Sequence, residues 1–190
     1  MNEKLNKLDK DRVLDILVRS FDDNRSVNYI VRQDARRAAR LRALMDYAFK
    51  VCHAYGKVLL SEDRKACALV LLERPAFSWR GMFWDLQLVL GVCGLGRVAK
   101  VLARERLIKL RHPAASFYYV WFVGVDPEFA GQGIGSGFLA ELIADASAMG
   151  RDVYLETSTP ENLSWYERFG FEVFDSVEIG YELYFLRMMF

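Results

Sequence analysis

Residues 117–137, FYYVWFVGVDPEFAGQGIGSG, constrain this chain more than any other stretch. Both alternating sets of its first half, Phe117, Tyr119, Trp121 and Val123 against Tyr118, Val120 and Phe122, are apolar. A strand of that kind is covered on both faces, which predicts the centre of a sheet with helices on either side. Asp126-Pro127 ends the strand, and Gly131, Gly133, Gly135 and Gly137 follow at alternate positions before an amphipathic stretch that begins near Ser136. A strand, a glycine loop and a helix N-terminus in succession present bare backbone N–H groups where the helix dipole adds about half a positive charge. Such a place suits a phosphate.

Alone, the loop leaves the owner of that phosphate open. No Gly-Lys-Ser/Thr closes it, so it is not a nucleoside triphosphate loop. The dinucleotide pattern G-x-G-x-x-G fails too, because Ser136 or Phe138 stands where the third glycine belongs.

The rest of the chain predicts what surrounds the loop. Val13, Leu14, Ile16 and Leu17 fit one face of a helix ending near Phe21, and a second helix is expected from Gln33 to Tyr55. Its early turns carry Arg32, Arg36, Arg37, Arg40 and Arg42, either a solvated face or a contact for an anion. Residues 57–61 and 66–73 read as a hairpin closed by Pro75, after a first strand within 1–8 that the sequence barely supports. The stretch 81–96 carries one charge in sixteen residues. That is shorter than the roughly twenty apolar residues a bilayer span needs, so a buried or interfacial helix is expected. A basic amphipathic helix, 97–111, follows. Beyond the loop, Phe138, Leu139, Leu142, Ile143, Ala146 and Met149 form a helical stripe ended by Gly150, and 152–157 is again strand, so 117–125 and 152–157 should be parallel neighbours. Thr159-Pro160 opens a helix that Gly170 stops, and 171–179 and 181–189 finish as an antiparallel pair.

Length predicts one α/β (α+β) domain over 1–190. With 26 basic and 25 acidic residues, no global field points to nucleic acid. Three scattered cysteines, Cys52, Cys67 and Cys93, suggest buried reduced thiols rather than a disulfide framework or a metal site. The charged first residues lack the apolar core of a secretory signal, and a cytoplasmic protein is expected.

The chemistry-bearing pair lies downstream. Asn162 and Tyr166, four residues apart, would project from one helix face. A phenol with an ordinary pKa near 10 can protonate a leaving thiolate, and an asparagine side chain can both donate to and accept from an amide-rich ligand.

VGVDPEFAGQGIGSG, the strand ending LETS, and ENLSWYERFGF resemble the GCN5-related N-acetyltransferases (GNAT), within them the branch that includes puromycin N-acetyltransferase. Gln132, Gly135 and Gly137 match the family's Gln/Arg-x-x-Gly-x-Gly/Ala loop, and Asn162, Tyr166, Gly170 and Phe171 match its late motif. The resemblance implies a mostly antiparallel sheet whose parallel pair, the family's fourth and fifth strands, splays around acetyl-CoA. It implies direct acetyl transfer from acetyl-CoA to a primary amine, with no metal. Val123, Gly124 and Val125 would bind the pantetheine arm, Gly124 allowing a bulge or close approach. The loop amides of Gln132, Gly133, Gly135 and Ser136 would hold the pyrophosphate, with Ile134 and Gly137 also in the cofactor-binding loop. Asn162 would bond the pantetheine or a water, Tyr166 would protonate the thiolate, and Glu156 is the candidate base. The helical block 75–113, with Trp79, Phe83, Trp84, Leu88 and Leu90, is expected to wall an acceptor site for a hydrophobic or aromatic small-molecule amine. A peptide acetyltransferase and an idle acetyl-CoA-binding module, docked on a membrane through 81–111, are the alternatives. The apolar strand YELYFLRMMF, as a sheet edge, would favour a homodimer.

Overall fold

The computed structural model describes residues 6–73 and 79–190. The expectation for Pro75 therefore lies outside the described residues, as does most of the weak first strand; Lys7 and Leu8 are helical.

Helix α1 (Lys7–Ser20) opens with a reciprocal cap: the Asn6 side chain accepts from the Asp9 N–H, and the Asp9 carboxylate accepts from the Asn6 N–H. A short helix α2 (Arg25–Ile30), capped by Asn24, was not expected; six residues are too few to show a period. Helix α3 (Arg37–Tyr55) leads into the hairpin of β1 (Gly56–Leu60) and β2 (Ala66–Leu71). Helix α4 (Trp79–Leu88), a π turn (Val89–Cys93) and α5 (Val98–Lys109) make up the block before β3 (Tyr118–Val125). Then come α6 (Ile134–Ala148), β4 (Val153–Thr157), α7 (Leu163–Glu167), β5 (Glu172–Glu178) and β6 (Glu182–Met188).

The six strands run in the order β1-β2-β3-β4-β6-β5. All pairings are antiparallel except β3 with β4. One face of the sheet is covered by α1, α3 and the turn after α4, through Val13, Leu17, Met45, Phe49, Val92 and Phe122. The other is covered by α6 and α7, through Tyr118, Val120, Leu139, Leu142, Leu155 and Tyr166. The doubly apolar strand is thus β3, buried from both sides.

Two expectations are corrected. β6 is not an edge: it lies between β4 and β5, because its apolar residues Leu183, Phe185 and Leu186 need cover that an edge does not give. The free edges are β1 and β5, and the argument for a dimer through the final strand falls away. The 79–113 block does not gather all of its apolar residues at one pocket beside the glycine loop. Trp79, Phe83 and Leu90 are 71%, 58% and 56% exposed. Trp84 stands edge-on to Tyr55, and Leu88 packs on the α1–α3 core. Trp84, Leu88 and Leu90 line a groove of about 390 Å³ against α3, which includes neither Glu156 nor the glycine loop. The block is instead sewn into the fold by its arginines. Arg97 donates to the Val31 and Tyr29 carbonyls, and Arg111 to Asp175. Arg104 is buried and donates to Tyr181 and Ser26. Among the described residues no helix is long and apolar enough to cross a membrane.

The α3 arginines are engaged by neighbouring acids: Arg37 by Asp22, Arg40 by Asp34 and Arg42 by Asp15. All three cysteines are free and buried, and burial raises the thiol pKa of Cys52 and Cys67.

Leu139 has no exposed surface and seats α6 on β3. Leu139→Ala should cost about 2–5 kcal/mol, read as a lower urea midpoint with an unchanged m value.

Candidate active site

The site is an opening in the sheet. β3 and β4 pair only at Tyr118 with Val153 and Tyr119 with Tyr154, after which they part. On its other edge β3 stays paired to β2 as far as Val125, but with one residue too many: Leu69 faces Phe122 and Val70 faces Val120, leaving Trp121 as a bulge. A bulge sharpens the local twist and bends its strand. Here it lies two residues past the last β3–β4 pair, so the bend falls where the strands part. It also puts Trp121 and Phe122 on the same face, against Tyr47 and Phe21. Gly124 serves close approach rather than the bulge, since a Cβ there would stand 3.0 Å from Ser20 Oγ on α1. The Ser20 hydroxyl donates to the Val125 carbonyl at 2.7 Å, which binds α1 to the end of β3.

Asp126 fixes the start of the loop. It is 1% exposed, accepts from the Glu128 N–H, and meets Arg12 at 2.8 Å and Arg19 at 2.9 Å, both on α1. Burial alone would raise its pKa, but the Glu128 N–H and the two guanidinium groups together hold it below the usual carboxylate range. Gly131 and Gly133 have φ of 76° and 79°, the left-handed region that glycine tolerates. The first N–H bonded within α6 is that of Gly137, to the Gly133 carbonyl at 3.1 Å. The amides of Ile134, Gly135 and Ser136 precede it and have no acceptor inside the helix, so they are available to an anion. The Gly137 amide, bonded to Gly133, is not available in that way. At Gly135 a Cβ would come within 3.3 Å of Val125, so glycine lets the helix start lie against the strand end. The Trp165 indole donates to Ser136 Oγ at 3.0 Å and ties α7 to this turn.

The segment carrying Asn162 and Tyr166 is split. Pro160–Asn162 forms a 3₁₀ turn and α7 begins only at Leu163. Asn162 is exposed, whereas Tyr166 is 6% exposed and packed between Trp165 and Phe171. They do not present one uniform face. Burial raises the Tyr166 phenol above its ordinary value, and its hydroxyl has no hydrogen-bond partner among the described residues. A tyrosine so placed keeps its proton firmly. It is a hydrogen-bond donor first, and a weaker acid than an exposed phenol.

On the opposite face, Glu156 stands two residues beyond the last β3–β4 pair, with both oxygens engaged. Oε1 lies 2.9 Å from His112 Nε2, and Oε2 accepts from the Tyr119 hydroxyl at 2.6 Å. Burial, with the Glu156 charge, holds the Tyr119 phenol well above its usual range, so it remains a donor. The His112 ring packs against Phe117 and Tyr119, at 4.9 and 4.8 Å between centroids. Sequence reasoning missed His112 and Tyr119. The one available signal was a rare residue type, one of two histidines, immediately before the central strand.

Residues 84–173 match a family model described as an acetyltransferase (GNAT) domain. Over those residues, a little under half of its length, the chain is similar to a GNAT acetyltransferase domain, which supports an acyltransferase. Solved structures share the fold over almost the whole length. A Corynebacterium glutamicum protein described as histone acetyltransferase HPA2 and related acetyltransferase superposes with a TM-score of 0.71 at 20% identity, covering 97% of this chain and 92% of that one. Arylalkylamine N-acetyltransferase 2 from Aedes aegypti gives 0.66 at 12% identity, over 97% and 95%. The C-terminal condensation domain of Ebony, solved with beta-alanyl-dopamine, gives 0.65 at 8%, over 96% and 95%. At such identities the likeness is one of fold.

Asp126 should make the loop acid-sensitive. Its folded pKa is depressed, so its contribution to stability is present above the unfolded value near 4 and is lost as pH falls through the folded value. Asp126→Asn should therefore lower the urea midpoint at pH about 7, with the gap from wild type closing as the pH falls below the ordinary carboxylate value of about 4.

Proposed function

We propose that the protein transfers an acetyl group from acetyl-CoA to the primary amine of a small molecule, within the branch resembling puromycin N-acetyltransferase. The observation that carries the reading is the splay of β3 from β4, flanked on one side by the unbonded amides of Ile134, Gly135 and Ser136 and on the other by Glu156. A pyrophosphate on those amides lets the pantetheine arm run along Val123–Val125 as an added strand, with its thioester at the parting. Gln132 and Gly133 complete the loop around the phosphates, and Asn162, exposed at the entrance to α7, bonds the arm or a water.

Transfer then follows from placement. An amine entering from the Glu156 side meets a carboxylate set among Tyr119, Phe117 and Tyr154, a surround that favours an ammonium beside an aromatic or apolar body. Once neutral, the nitrogen attacks the thioester carbonyl, the N–C bond forms and the C–S bond breaks. Tyr166 donates a hydrogen bond to the departing sulfur and gives up its proton as negative charge develops there. Glu156 belongs to the base side of the reaction. The case for an aromatic amine now rests on this cluster and not on the exposed residues of α4.

The experiment is free-thiol release from acetyl-CoA against a panel of puromycin-like aminonucleosides, arylamines, polyamines and peptides. The proposal expects turnover with compact aromatic or apolar amines. Turnover confined to peptides, or to highly charged polyamines, refutes it. Tyr166→Phe should lower turnover about 10- to 1000-fold with little change in acetyl-CoA affinity, as measured by steady-state kinetics and calorimetry.

A further inference from the structure

Glu156 is a poor base as it stands, since both of its oxygens already accept hydrogen bonds. Tyr119, fully packed, holds one of them. The other belongs to His112, which comes from the turn after α5 and is fixed between Phe117 and Tyr119. An ionised carboxylate only accepts, so the ring nitrogen facing it, Nε2, carries hydrogen. In the neutral ring the lone pair then lies on Nδ1, which has no hydrogen-bond partner among the described residues.

We propose that His112 is the group that takes the proton from the acceptor amine, through Nδ1, and that Glu156 is a positioning residue that sets its tautomer. The inference rests on the acetyl-transfer reading above. A carboxylate that orients an imidazole by one nitrogen and leaves the other free is a general arrangement for proton transfer near neutral pH. The protons balance. An ammonium acceptor loses two protons on becoming an amide. One passes to His112 Nδ1 before attack and on to solvent; the other ends on the coenzyme A sulfur, by way of Tyr166.

The charged and titratable groups around His112 are few. Glu156 from β4 and Tyr119 from β3 touch it directly. Arg104 and Glu105 of α5 act on Tyr119 from behind, and Arg111, next in sequence, turns away to Asp175. Among the described residues, Glu156 is the charged group in direct contact with the imidazole.

The test uses the intact enzyme with whichever panel amine it acetylates, so that a wild type without thiol release on any amine refutes the parent reading and not this one alone. With an active wild type, His112→Ala should lower kcat/KM about 100-fold or more near pH 7, with free imidazole restoring part of the rate. His112→Gln keeps a donor to Glu156 and fills the space, so it should fold like wild type, be as slow as the alanine variant and gain nothing from imidazole. Both variants should lose the acid limb that wild type shows, their rates rising toward the pKa of the amine itself. Glu156→Gln should retain that limb, with a smaller loss of rate. The proposal is overturned if His112→Gln keeps wild-type turnover and pH profile. It is equally overturned if His112→Ala, folded by its thermal midpoint, is slow but shows no rescue and an unmoved profile.

Discussion

Everything at the site depends on β3 pairing along most of one edge and only briefly along the other. Parallel strands linked through a helix normally run together for several residues. Here the pairing stops after two positions, and the bulge at Trp121 bends β3 where the separation begins. Backbone that would have been satisfied by β4 is left available at the middle of a covered sheet, where unpaired polar groups are otherwise avoided. A ligand that can act as a strand meets that need. Around the opening the surroundings are rigid: α1 is bound to the end of β3 through Ser20, Asp126 and the close approach at Gly124, and α6 is pressed on Val125 through Gly135.

The two sides of the opening differ in chemistry as they differ in origin. The loop side is built from contiguous chain, strand into turn into helix, and offers amides and a dipole. The opposite side is assembled from three distant places: Tyr119 on β3, Glu156 on β4, and His112 at the end of a helix. That contrast explains what could be read in advance. The central strand, the glycine loop, the crossover and the hairpin rest on local period and turn chemistry, and the sequence carries them plainly. The bulge at Trp121 is a matter of register between strands, which a single strand does not encode. The position of β6 inside the sheet comes from its pairing with β4 as well as with its hairpin partner β5, and the first of these is again long-range. His112 has no period and no motif, and only the fold brings it to Glu156.

The arginines of the 79–113 block show the same limit from another direction. By pattern they dress the polar face of an amphipathic helix, and Arg104 nonetheless lies inside, satisfied by Tyr181, Ser26 and Glu105. A buried guanidinium with good partners is costly to separate from them, so this residue gives the block a single seat on α2 and the turn before β6 rather than a sliding apolar contact. His112 stands three residues beyond the end of α5 and takes its place from that seat.

The placement of β6 also bears on how the molecule is made. β4 and β5 emerge from the ribosome before the strand that separates them, and until residues 182–188 arrive β4 has only the short parallel contact with β3 to hold it. One strand of the six is therefore a late insertion between two made before it. Synthesis that stalls near Gly180 leaves two apolar strands with no partner between them, the kind of edge on which chains associate wrongly and on which chaperones act.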